Sequence, residues 1–214
     1  MGIVFIALET LGMVWPGIIA KALIIPILFI LYYRYVKSSM NLFHRLILTA
    51  LVFSWCGDVL LEFALFNETY FLAGLGSFLL AQFMYLIAFF STPGKNLIAG
   101  SKFWLLIFVA VYGAALLYYL WDGLGDMKIP VLVYAVVILT MLSAAINRMG
   151  KVDRLSFILV LFGAILFVLS DSMIAVNKFR QPFVLAEIAI MVTYITAQYL
   201  IITGCLKQFN FPVK

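Results

Sequence analysis

Eight apolar runs follow one another along the chain, at about residues 2–19, 22–37, 44–64, 70–91, 102–121, 128–147, 154–175 and 183–206. Each is close to the ~20 residues that an α-helix needs to cross the hydrocarbon of a bilayer. The breaks between them carry Pro, Gly, Asn or charge, the residues that punctuate helices. The predicted fold class is all-α, a polytopic integral membrane protein of about eight transmembrane helices. Seven is the alternative, because the first two runs meet at Trp15-Pro16-Gly17. Eight spans would use about 160 residues, which leaves a chain of 214 only short connections. Residues 1–214 are therefore expected to form a single transmembrane domain. With 66% hydrophobic and 11% charged residues, against roughly 25% charged in a soluble domain, a water-soluble globular protein is excluded.

The formal charge is +5, and in a chain of spans such an excess is expected in cytoplasmic loops rather than against nucleic acid. Grouping the connections after the second, fourth and sixth runs with the C-terminus collects Arg34, Lys37, Arg45, Lys95, Lys102, Arg148, Lys151, Arg154, Lys207 and Lys214 on one side. Only Lys21, Lys128, Lys178 and Arg180 fall on the other. Ten against four places both termini in the cytoplasm, with a plasma or inner membrane as the expected site. Met1 to Thr10 has no basic segment and carries Glu9, so the first run is expected to be retained rather than cleaved as a secretory signal. Cys56 and Cys205 lie in apolar runs without a CxxC spacing. They are expected to be inert thiols, and no metal or other cofactor is called for.

A repeat search adds organisation. The third run ends Phe53-Ser54-Trp55-Cys56-Gly57-Asp58-Val59-Leu60 and the seventh Phe167-Val168-Leu169-Ser170-Asp171-Ser172-Met173-Ile174, with the two Asp 113 residues apart. Ala81-Gln82-Phe83 in the fourth run and Ala197-Gln198-Tyr199 in the eighth are 116 apart, and Lys21 and Lys128, each ahead of a Pro, are 107 apart. The similar offsets predict a 4+4 duplication with halves of about 1–100 and 101–214. An even number of helices per half makes the halves parallel.

The chemistry resides in the few polar residues of these runs. Asp58 lies ~21 Å along a helix from His44, and Asp171 ~25 Å from Arg154, at 1.5 Å per residue. Acids at such depth are candidates for a functional site because an ionised carboxylate is costly there. Glu62 follows Asp58 by one helical turn, on the same face, and a pair of carboxyl groups that shares a proton suits general acid–base work. Around Asp171, Ser170 and Ser172 offer hydroxyls, and Asn177 and Lys178 follow one to two turns later. Lys178, which with Arg180, Lys21 and Lys128 makes up the basic residues of the sparse side, suits a phosphate head group near the mouth of a cleft. Glu9 and Glu187 are further acids, while Gln82 and Gln198 are amides expected to bond across the bundle. His44, the single histidine, is expected at the cytoplasmic interface. No HExxH, GxSxG, P-loop or histidine cluster is present, which leaves acid chemistry by carboxyl groups.

The stretches Gly57-Asp58-Val59-Leu60-Leu61, Ser170 to Phe179 and Thr193-Tyr194-Ile195-Thr196-Ala197-Gln198-Tyr199-Leu200-Ile201 resemble the signature segments of the YhhN-like membrane proteins, a family that includes the lysoplasmalogenases. Where members often carry His ahead of an apolar-apolar-Tyr run, this chain has Gln82, so a proton relay through that helix is not expected. The resemblance implies hydrolysis of the vinyl ether of a lysoplasmalogen to a fatty aldehyde and a glycerophospho-ethanolamine or -choline. Asp58 and Asp171 are the expected catalytic pair, with Glu62 and Glu187 behind them. No metal is needed. Two other readings stay open: a small-molecule or lipid transporter, since parallel repeats with polar residues at depth are also a transporter plan, and a lipid-binding protein without chemistry.

Overall fold

A computed structural model describes residues 14–65, 67–94 and 103–209, with side chains from residue 22 onward, residue 65 aside. Among these residues it is all-helical, and seven helices are long and apolar enough to cross a membrane. They are α1 (Val14–Val36), α2 (Leu42–Glu62), α3 (Glu68–Phe90), α4 (Trp104–Leu120), α5 (Lys128–Ile146), α6 (Arg154–Phe179) and α7 (Ala186–Lys207). From α2 onward their bounds fall within four residues of the apolar runs. The exception is α1, which starts eight residues ahead of the expected 22 and runs through Trp15-Pro16-Gly17. Pro16 is its third residue, where the amide hydrogen has no partner inside the helix and its loss costs little. Residues 2–13 of the first run, Glu9 among them, lie outside the described residues.

Local chemistry sets several of these boundaries. Asn41 caps α2 by accepting from the His44 amide at 3.0 Å, and Asp153 caps α6 by accepting from Leu155 at 2.9 Å and Ser156 at 3.4 Å. Each satisfies amide hydrogens that a helix start leaves over. Glu68 and Glu187 occupy the first turns of α3 and α7, where a negative charge meets the positive end of the helix dipole.

The helices divide into two compact units, the first ending at Ala88 and the second beginning at Phe89. In the first, the Trp55 indole donates to the Ala22 carbonyl at 2.8 Å, joining α2 to α1. His44, in the first turn of α2, is fully buried, and its Nδ1 lies 2.8 Å from the Tyr32 hydroxyl. The phenol on α1 supplies the partner that makes burial of the ring affordable.

In the second unit the most extensive pairing is α6 with α7. Small residues let the backbones approach: a Cβ on Gly163 would stand 2.8 Å from the Ala197 carbonyl oxygen, and one on Gly204 3.0 Å from that of Ser156. Serine hydroxyls close both ends of the seam, Ser156 donating to Gly204 at 2.7 Å and Ser170 to Ile190 at 3.0 Å. Close backbones and interhelical hydrogen bonds are how helices associate where lipid removes the hydrophobic drive. Arg148, grouped by sequence with the basic residues of the cytoplasmic side, is fully buried. Its Nη2 donates to Gln208 at 2.8 Å and Ser156 at 3.2 Å, and its guanidinium lies 5.2 Å from the Phe89 ring centre. A buried cation persists only where such partners replace its water.

Candidate functional site

The strongest candidate site lies in the second unit, between α4, α5 and α6. A cleft of about 50 Å³ is lined from α4 by residues that include Tyr112, Gly113 and Leu120, from α5 by residues that include Val131, Tyr134 and Leu139, and from α6 by Val168, Asp171, Ser172 and Ala175. Asp171 is the one charged side chain among its described lining residues. The helices meet here because Gly113 leaves no Cβ in the path of Leu139. At one end Leu120, Leu124 and Val131 form a buried cluster with Met127, Val176 and Phe179 packed against it. Gly123 seals that end, since its α-carbon faces the Phe179 carbonyl with no space for a side chain.

Four polar side chains converge in this apolar setting. The Tyr134 hydroxyl on α5 donates to Asp171 Oδ2. Tyr112 on α4 donates to Ser172 Oγ at 2.8 Å, and Ser172 in turn donates to the Val168 carbonyl at 2.7 Å. The three helices are thus tied by two tyrosine hydroxyls at the level of the carboxylate. A carboxylate oxygen held by one donor keeps further lone pairs free, so Asp171 can serve a ligand in the cleft. Neither tyrosine stood out in the sequence, because the chain has eleven tyrosines scattered along apolar runs.

Beyond the cluster, basic and aromatic side chains gather where α4 ends and α5 begins. Lys128 lies 5.0 Å from the Trp121 ring centre, and Arg180 lies 5.2 Å from that of Tyr119. Lys178 is exposed a little less than one turn past Ala175. Such pairs of cation and aromatic ring belong to membrane interfaces, and the cations suit a phosphate.

The remaining expected site residues are distributed as follows. Ser170 turns away from the cleft to α7. Asn177 accepts from the Phe183 amide at 3.2 Å and so braces the connection to α7. Glu187 is exposed. Gln198 is fully buried and its amide reaches Tyr194 on its own helix at 3.5 Å. In the first unit, Asp58 is 4% exposed one turn before the end of α2, and Glu62 is half-buried at that end. Gln82 is fully buried with neither amide atom hydrogen-bonded among the described residues. The side chain of Lys21 lies outside the described residues. Among the described residues no three His, Cys, Asp or Glu side chains are placed to hold a metal ion.

Comparison with known proteins supplies the context for this site. The profile of the YhhN family matches residues 17–205. The chain is 30% identical over 194 residues to the lysoplasmalogenase TMEM86B of Homo sapiens, covering 91% of this chain and 77% of that protein. It is 33% identical over 190 residues to the lysoplasmalogenase TMEM86B of Sus scrofa, covering 87% and 74%. A lysoplasmalogenase of Mycobacterium bovis is 31% identical over 162 residues, covering 75% of this chain and 60% of that protein. No solved structure matches the chain.

Proposed function

The chain belongs to the YhhN family, and from that premise we propose that it is a lysoplasmalogenase, hydrolysing the vinyl ether bond of a lysoplasmalogen to a fatty aldehyde and a glycerophospho-ethanolamine or -choline. The observation that carries this reading is 30–33% identity to lysoplasmalogenases across most of the chain. The geometry of the second unit supports it, because a carboxyl group inside an apolar cleft is one part of the equipment that vinyl ether hydrolysis needs.

Asp58 and Asp171 supply the two carboxyl groups. A vinyl ether resists base but adds a proton at its β-carbon, which converts the double bond into an oxocarbenium ion. One carboxyl group gives that proton. The other, as carboxylate, stabilises the cation and takes a proton from the water that adds to the α-carbon, much as glycosidases divide the work between two acids. The resulting hemiacetal collapses: the group that was first the acid removes the hydroxyl proton, and the other returns its proton to the departing glycerol oxygen. The products are the aldehyde and the glycerol hydroxyl, one water is consumed, and both carboxyl groups end in their starting states. Glu62 stands behind Asp58, while Lys178, Lys128 and Arg180, beyond the apolar cluster, are the cations that suit the phosphate.

For the architecture, the offsets between Asp58 and Asp171 and between Gln82 and Gln198 support the expected 4+4 repeat with both termini cytoplasmic. The full burial of both Gln82 and Gln198 supports equivalent positions in such halves.

The cleft decides how much of the substrate is enclosed. Pockets that engulf a small ligand run to roughly 300–1,000 Å³, whereas this one, of about 50 Å³, admits the reacting atoms and water but not the alkenyl chain. That chain lies along lipid-facing residues such as Phe108 and Val111, both exposed. The test is aldehyde release by the purified protein in mixed micelles, with a 1-acyl lysolipid as control. Release from the vinyl ether alone is expected, with kcat/KM varying by no more than about threefold from roughly 12 to 18 carbons of chain. Bound but unconsumed lysoplasmalogen would instead favour lipid binding, and passage across vesicles without turnover would favour transport.

A further inference from the structure

We propose that Tyr134 is a positioning residue of the hydrolysis, and that it commits Asp171 to the capture of water rather than to the first proton transfer. The proposal rests on Asp171 being one of the two catalytic carboxyl groups. It starts from the inventory of hydrogens in the cleft. Ser172 has one hydroxyl hydrogen, and that goes to the Val168 carbonyl. Tyr112 has one, and that goes to Ser172. Neither hydroxyl is left to donate to Asp171 or to a substrate. Tyr134 alone of the lining residues donates to the carboxylate, through Oδ2.

That bond has two consequences. It comes from α5 while the carboxylate sits on α6, so a neighbouring helix fixes the Asp171 side chain. Tyr134 is itself 9% exposed, so its ring is held by packing and the phenol cannot follow a wandering partner. Asp171 also meets Tyr134 as an acceptor. A carboxylate that accepts from a buried phenol is held in the ionised form that a base must have, and its Oδ1 keeps lone pairs for a proton from water. The cleft beside it, at about 50 Å³, exceeds the ~10–15 Å³ that one water requires.

In the resulting sequence the β-carbon receives its proton from the other carboxyl group. Water then adds its oxygen to the α-carbon of the oxocarbenium ion and passes one proton to Asp171 Oδ1, leaving a neutral hemiacetal and a protonated Asp171. Tyr134 gives up no proton. Its contribution is to hold the accepting oxygen within reach of the attacking water, where misplacement by about 1 Å costs on the order of 100-fold.

The experiment compares Tyr134→Phe and Asp171→Asn with wild type, as purified full-length protein in mixed micelles, reading kcat, KM and melting temperature. Tyr134→Phe is expected to lower kcat by roughly 10- to 100-fold with KM within about twofold, the pattern of an interaction expressed in the transition state. Wild-type kcat in Tyr134→Phe beside an inactive Asp171→Asn overturns the proposal and leaves the two-carboxylate reading standing. A raised KM with unchanged kcat also overturns it, since that marks ground-state binding. Wild-type turnover in Asp171→Asn removes the reading underneath. Should Tyr134→Phe not yield folded protein, 3-fluorotyrosine at position 134 keeps the shape and, through a more acidic phenol, strengthens the bond donated to Asp171 and so weakens that carboxylate as acceptor of the water proton. A shift in kcat of about threefold is then expected, and an unchanged kcat overturns the proposal.

Discussion

Asp171→Asn is expected to abolish aldehyde release, with kcat reduced by about 1,000-fold, inside the 10²–10⁴ range that a positioned acid or base contributes. The substitution isolates chemistry from structure. An asparagine side chain has the same shape, and its carbonyl oxygen accepts from the Tyr134 hydroxyl as the carboxylate does. What it loses is the ability to take up a proton. The protein should remain monodisperse in detergent, with a melting temperature within a few degrees of wild type. Asp58→Asn is expected to behave in the same way, because acid and base act in sequence and neither replaces the other. The decisive measurement is single-turnover aldehyde formation, which separates the chemical step from binding and release. Full activity in both variants would refute the assignment of the two carboxyl groups.

Gly163→Leu is expected to produce a large loss of stability. Gly163 faces α7 with the Ala197 carbonyl oxygen 2.8 Å and the Ile201 amide nitrogen 3.0 Å from where a Cβ would stand. These are backbone atoms and cannot rotate aside, so a leucine must push α6 and α7 apart. Overpacking of this kind costs ~3 kcal/mol, and the Ser156–Gly204 and Ser170–Ile190 bonds along the same seam stretch with it. For a chain of this size that is a fall of roughly 10 °C in melting temperature, readable as a thermal shift in detergent. Gly76, with nothing within 4 Å of its would-be Cβ, provides the contrast, since Gly76→Ala is expected to leave the melting temperature almost unchanged.

The apolar runs were legible because a bilayer demands a fixed length of uninterrupted hydrocarbon-compatible residues, and six of the seven described helices follow them closely. Asp58 and Asp171 were legible for the related reason that a carboxyl group stands out against such a background. Tyr112 and Tyr134 were not, since a tyrosine is compatible with lipid, interface and interior alike. Arg148 misled in the opposite direction. By position it reads as a loop cation, yet Gln208, Ser156 and Phe89 converge on it from parts of the chain as much as 60 residues away. The partner of His44, Tyr32 on α1, was likewise not legible in the sequence.

By itself the sequence therefore determined that this chain is a set of membrane-length helices with acids set among apolar residues, because length and polarity are properties of a segment that lipid reads directly. Only the tertiary structure decided which tyrosine bonds Asp171, which glycines let α6 meet α7, and which cation is buried. In a soluble helix an apolar stripe marks the inward face, but here lipid and protein interior are equally apolar. The helix faces carry no such mark until their neighbours are in place.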